Sequence, residues 1–129
     1  MRRFLGAAAA VVFALAGCGG PSSGAASPLI THDYYSSVKT ARLGGTLELR
    51  DDGCLAVRRL DGSLASVILP RKDSSWKDGV LTFRGQTYRL GEEFYTAIAG
   101  ESDLSKIGLQ VPSTCTVSEN PHIVAADNR

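Results

Sequence analysis

Histidine, tryptophan and methionine are nearly missing from this chain: two, one and one in 129 residues, with aromatics at only 7%. His32 and His122 lie 90 positions apart, and no cluster of His, Cys, Asp or Glu has metal-ligand spacing. No cofactor is expected. Serine is plentiful, but the one G-x-S-x-G match, Gly20-Pro21-Ser22-Ser23-Gly24, lies in a stretch too rich in Gly, Ser and Pro for a strand-to-helix elbow, and the S-x-x-K spacings at Ser36–Lys39 and Ser74–Lys77 lack the companion motifs of a serine-lysine site. Covalent catalysis needs a nucleophile, a base and an orienting group within reach, and the sequence offers no such set. Charge of one sign is also missing. With 14 Lys+Arg against 13 Asp+Glu, neither a nucleic-acid partner nor an acidic tail is indicated. No apolar run reaches the roughly 20 residues of a membrane-spanning helix.

What is present begins at the N-terminus. Arg2-Arg3 is followed by an uncharged apolar run over residues 4–15 and then by Leu15-Ala16-Gly17-Cys18. The pattern resembles the lipobox of bacterial lipoprotein signal peptides. It implies removal of residues 1–17, a diacylglycerol on Cys18, and anchoring to the outer face of the cell membrane. Two acyl chains hold such an anchor at about 0.8 kcal/mol per buried methylene. An ordinary secretory signal would leave Cys18 without a role. A twin-arginine signal would need a spacer that is absent between Arg3 and Phe4-Leu5. Residues 18–28 are rich in Gly, Ser, Ala and Pro and read as a flexible tether. The mature chain would keep 112 residues, with 12 cations against 13 anions. That is one small domain, residues 29–129, with a modest core.

An odd cysteine in an exported protein calls for an explanation. With the lipid on Cys18, Cys54 and Cys115 remain as a pair, which oxidises outside the cytoplasm. Closing a loop of that length contributes about 4 kcal/mol on the chain-entropy model.

From Thr46 onward the chain reads as short strands between turn signals. Strands are expected over 46–50, 54–60, 64–69, 80–83, 86–90 and 94–99, where apolar residues alternate. Asp51-Asp52-Gly53, Asp61-Gly62-Ser63, Arg84-Gly85 and Gly91-Glu92-Glu93 separate them. Pro70 closes the third strand, because it cannot donate to a ladder. Residues 71–78 read as a polar loop carrying Trp76. Leu104 and Ile107 suggest one helical turn, and residues 114–117 a last strand. Residues 118–129 are expected to fray. Residues 29–42 read either as a strand or as a short helix. Six short strands without a helical period mean an all-β domain. A small OB-like barrel manages the sheet edges most economically, with a compact β-sandwich as the alternative.

The segments Gly45-Thr46-Leu47-Glu48-Leu49, Gly53-Cys54-Leu55-Ala56-Val57, Leu69-Pro70, Gly85-Gln86-Thr87-Tyr88-Arg89-Leu90-Gly91 and Pro112-Ser113-Thr114-Cys115 resemble small secreted or lipid-anchored proteins of high-GC Gram-positive bacteria. The resemblance covers about half of the mature chain. It implies the fold and the cysteine pair, and is silent on function. The chain departs from it after Pro70, where its segment is longer and more charged.

His32-Asp33 suggests a base with an orienting carboxylate, yet neighbours in extended chain point to opposite faces. Asp51-Asp52 and Glu92-Glu93 resemble turn caps rather than a calcium loop. Tyr34, Tyr35, Tyr88 and Tyr95 are expected in the core or at its rim. The stretch holding Arg71, Lys72, Trp76 and Lys77 is the candidate partner-binding loop, because a tryptophan beside cations stacks on a sugar or grips a protein. The competing expectation is that Trp76 folds back as a lid on the barrel.

The leading expectation is therefore a monomeric, non-enzymatic module held at the membrane by its lipid, binding an envelope protein or glycan. An envelope hydrolase with an unrecognised site is the alternative. It predicts a concave pocket holding a histidine or carboxylate of perturbed pKa.

Overall fold

A computed structural model of the chain describes residues 27–35, 39–100 and 103–126. The expected leader, the lipidation site Cys18 and nearly all of the tether lie outside the described residues. The strands are β1 (Ile30–His32), β2 (Lys39–Leu49), β3 (Leu55–Arg58), β4 (Leu64–Pro70), β5 (Ser74–Lys77), β6 (Val80–Phe83), β7 (Gln86–Arg89), β8 (Glu93–Ala99) and β9 (His122–Ile123). Two single 3-10 turns, Arg71–Asp73 and Leu104–Lys106, are the only helical pieces among the described residues. The all-β expectation holds. Within residues 29–42, 30–32 and 39–42 are strand and 33–35 are neither strand nor helix, and the helical turn expected near Leu104 is the second 3-10 turn.

The strands form two sheets. The larger runs β1-β4-β3-β2-β8, with β9 also pairing β4; the smaller is the meander β5-β6-β7. β1 and β9 lie parallel to β4, while β2, β3, β4 and β8 pair antiparallel along the main path. An isolated antiparallel bridge joins Ile98 to Val124, and the Ala125 N–H donates to the Ala97 carbonyl at 2.9 Å.

Turn chemistry explains the meander and the β3–β4 hairpin. Asp78-Gly79 and Arg84-Gly85 both hold two successive positive φ values, which a two-residue hairpin turn of matching twist demands. In the β3–β4 turn, Asp61 Oδ1 accepts from the Ser63 N–H at 2.8 Å and from its hydroxyl at 2.6 Å. β2 needs glycine for a different reason. A Cβ at Gly44 would lie 1.9 Å from the Phe94 carbonyl oxygen, and one at Gly45 2.0 Å from that of Arg58. The Gly44-Gly45 pair lets β2 pass close to β8 on one side and β3 on the other.

β4 organises the interior. Val67 and Leu69 join a cluster with Leu47, Leu55, Val57, Leu81, Phe83, Phe94 and Val124, whereas Ile68 joins Ile30, Ala99, Ile107, Ile123 and Ala125. Burial on both faces accounts for the unbroken apolar run at residues 67–69. Phe94 stands edge-on to Phe83 at 5.8 Å and to Tyr88 at 4.9 Å, so the meander docks on the larger sheet through aromatic contacts. Ser66, wholly buried, is satisfied by the Ser118 N–H and by the Arg50 guanidinium, each at 2.9 Å.

Cys54 and Cys115 form a disulfide with a Cα–Cα separation of 5.8 Å. Asp52 clasps it. One carboxylate oxygen accepts from the Cys54 N–H at 3.0 Å and the other from the Thr116 N–H at 2.9 Å. Burial opposes ionisation of Asp52, but these amides and the Arg50 charge together hold its pKa below the ordinary value.

Three expectations need correction. Residues 71–78 are a 3-10 turn followed by a strand, not a loop. β5 is polar because it is an edge strand, and only Ser74 and Trp76 turn inward. Residues 114–117 are no strand; Cys115 is held by its disulfide and by a turn bond to Pro112. The tail does not fray over residues 118–126. Residues 122–126 are buried, with β9 laid against β4.

Candidate functional site

Where β4 ends, Pro70 holds φ at −60° and cannot extend the ladder. The chain then makes its 3-10 turn, and the Ser74 hydroxyl donates back to the Pro70 carbonyl. This corner splits the four expected partner-binding residues. Arg71 and Lys72 face a cavity, Trp76 faces a neighbouring groove, and Lys77 is exposed at the end of β5 and lines neither. Arg71 borders both depressions.

The groove, about 470 Å³, is open and lined by Leu29, Thr31, Arg71, Ser75, Trp76, Gln110 and Pro112, among others. Trp76 is half-buried. Part of its ring rests on the main hydrophobic cluster, and it also lines the groove. It is therefore neither a fully buried lid nor a free side chain. Of the tyrosines, Tyr34 and Tyr88 pack against the clusters, while Tyr35 and Tyr95 are exposed.

The cavity, about 310 Å³, is bounded by His32, Asp33, Arg71, Lys72, Asp73 and Arg84, with Tyr35 and Ala126 completing the wall. Its carboxylates are engaged. Asp33 accepts from Arg71 Nε at 2.9 Å and from the Gln110 side chain at 3.3 Å, and Asp73 meets Arg84 Nε at 3.4 Å. Arg84 also donates to the Ala125 carbonyl at 2.6 Å and lies 4.6 Å from the centre of the Phe83 ring. Lys72 Nζ stands 5.7 Å from the centre of the Tyr35 ring.

Both histidines are buried, although each sits near an end of the domain's sequence. Nδ1 of His32 accepts the Tyr34 N–H at 3.1 Å, so the ring hydrogen lies on Nε2, which donates to the Val124 carbonyl at 2.7 Å. Burial lowers the His32 pKa, opposed by the Val124 hydrogen bond and the Asp33 charge. His122 Nε2 meets the Thr96 hydroxyl at 3.1 Å. Burial, with the Arg59 charge second, lowers its pKa to about 4. A concave pocket with a histidine of shifted pKa is present, as the hydrolase alternative requires. The ring in that pocket is nevertheless committed at both nitrogens to backbone groups.

Arg84 was missed by sequence reasoning, and a signal for it existed. It holds φ at 51° in the first turn position of Arg84-Gly85, where Gly, Asn or Asp is preferred. The other described non-glycine residues with positive φ, Asp78 and Asn120, are of the tolerant type. Gln110 gave no signal; an isolated bridge to Thr31 brings it to the site.

Among the described residues no group of three His, Cys, Asp or Glu is placed to hold a metal. No helix of the described residues is long and apolar enough to cross a membrane. Comparison with protein families, curated proteins and solved structures finds no match for this chain.

Proposed function

We propose that the protein is a lipid-tethered envelope module, cut before Cys18 and monomeric. It binds an envelope protein or glycan through the face shared by Trp76 and Arg71. The observation that carries this reading is the placement of Trp76. An aromatic ring braced on the core and turned to an open groove is pre-organised, so contact with a partner costs little side-chain entropy. Arg71 and Gln110 add polar groups at the groove wall, the usual complement for fixing a ligand's orientation.

The hydrolase alternative draws on His32 beside Asp33 in the charged cavity. For His32 to act as a base, a backbone hydrogen bond at Nδ1 would first have to break, and Asp33 is already held by Arg71 and Gln110. The non-enzymatic reading needs no such rearrangement.

For the fold, we propose an OB-like barrel lidded at one end by the β5–β7 meander. In support, pairings run β8-β2-β3-β4-β9, and the Ile98–Val124 bridge returns from the β9 end to β8.

Trp76 is the only tryptophan, so intrinsic fluorescence reports on this face alone. Titration with solubilised cell-wall glycan, and separately with detergent-extracted envelope proteins whose own emission is subtracted from a matched blank, should give a saturable change in emission with one of them. Arg71→Ala, which keeps the fluorophore, should weaken it several-fold. Emission that stays constant through both titrations contradicts the binding reading.

A further inference from the structure

The cavity next to the groove is lined by charged side chains. Its wall holds three cations, Arg71, Lys72 and Arg84, against two carboxylates, Asp33 and Asp73. His32 at its back supplies no charge and no donor, since its one ring hydrogen goes to Val124. Among the described residues that line the cavity, cations therefore outnumber carboxylates by one.

The donors are unevenly used. Arg71 gives only Nε to Asp33; its two Nη groups make no hydrogen bond to a described residue. Lys72 has a ring contact with Tyr35 and no hydrogen bond or ion pair with a described residue. Arg84 is anchored firmly, by Asp73 and the Ala125 carbonyl, in a backbone conformation that an arginine adopts only at a cost. One cation is fixed, and two bring unused N–H groups to the same concavity. Guanidinium and ammonium groups so arranged fit an oxyanion, to which charge-assisted hydrogen bonds are the strong kind.

We infer that this cavity is a binding site for a small oxyanion, a carboxylate or a phosphate, held by Arg71 and Lys72 with Arg84 as the fixed wall. The site shares Arg71 with the Trp76 groove but not Lys72 or Arg84, so Lys72 tests it apart from the groove's partner.

The test uses the full chain, folded and held in detergent micelles, and follows amide and side-chain NMR signals during separate titrations with sodium acetate and with inorganic phosphate. Ionic strength is held constant with sodium chloride. Saturable shifts confined to residues around Arg71, Lys72 and Arg84 are expected with at least one titrant. Acetate alone would identify a carboxylate site, phosphate alone a phosphate site, and both a general oxyanion site. Lys72→Gln should weaken binding about tenfold, the effect of losing one charge-assisted hydrogen bond. Lys77→Gln, at a residue lining neither depression, should leave it unchanged. Lys72 supports no other described residue by hydrogen bond or ion pair, so the variant should fold, and preserved signal dispersion checks this. Shifts that never saturate with either anion, or a folded Lys72→Gln variant that binds as well as the wild type, would overturn the inference.

Discussion

His122 shows most directly how a single environment sets a measurable property. Its ring is buried, paired with Thr96 and near the Arg59 charge, and its pKa falls to about 4. The unfolded chain protonates this residue near pH 6.5, so on acidification the unfolded state binds the proton first. Stability from this group is complete above about pH 6.5 and is lost as pH falls toward 4. The whole step amounts to roughly 3 kcal/mol. His32 shifts in the same direction and adds to the loss. Urea unfolding at pH 7, 6, 5 and 4 should show falling stability, with the His122 ring signals titrating only near pH 4 in the folded protein. A flat profile over that range, or a His122 titration near 6.5, would contradict this account. At this scale the sequence was readable in part. Arg71 and Lys72 stood out as cations in a polar stretch, and Asp52 and Asp61 as turn caps. The burial of both histidines was not readable, because it depends on β1 and β9 lying beside β4, and two isolated residues carry no periodic signal.

Among the elements, the hairpins were legible because their turns have a local cause. Asp61-Gly62 and Arg84-Gly85 each require positive φ at a known place, whereas Asp78-Gly79, which joins β5 to β6, read only as the end of a loop. β4 was legible as an apolar run. β5 was not, since its sequence, Ser-Ser-Trp-Lys, is that of a polar edge and contains one large apolar side chain. β9 spans only two residues and exists through its partners, so its neighbours in sequence gave no sign of it. The disulfide links these scales. The chain between Leu109 and Ser118 has no strand of its own, and Cys115 ties it to the start of β3. Removing the link by Cys54→Ala with Cys115→Ala should destabilise the domain by about 4 kcal/mol. Hydrogen exchange should speed first at the Thr116 and Ser118 amides, which bond to Asp52 and Ser66. Unchanged midpoints in urea for the double variant would show that the Asp52 clasp and the packing of Cys115 hold this segment without the covalent bond.

For the molecule as a whole, the all-β body and the disulfide followed from sequence, while the two-compartment site could only emerge once Pro70 turned the chain and β6–β7 delivered Arg84 beside it. The proposed tether and the proposed binding face fit one arrangement. The Pro28 carbonyl accepts the Leu55 N–H at 2.9 Å, so the chain enters the domain at the start of β3. Ser27 and Leu29 line the Trp76 groove, which places that face beside the point where the tether would leave. A partner bound there would be held close to the membrane surface. The most direct measurement is the intact mass of the membrane-associated protein expressed in a high-GC Gram-positive host, with and without reduction. The account predicts residues 18–129 plus a diacylglycerol, gaining two hydrogens on reduction as the Cys54–Cys115 bond opens. An unlipidated product cut elsewhere would contradict it, leaving Cys18 a third thiol and removing the membrane from the proposed function.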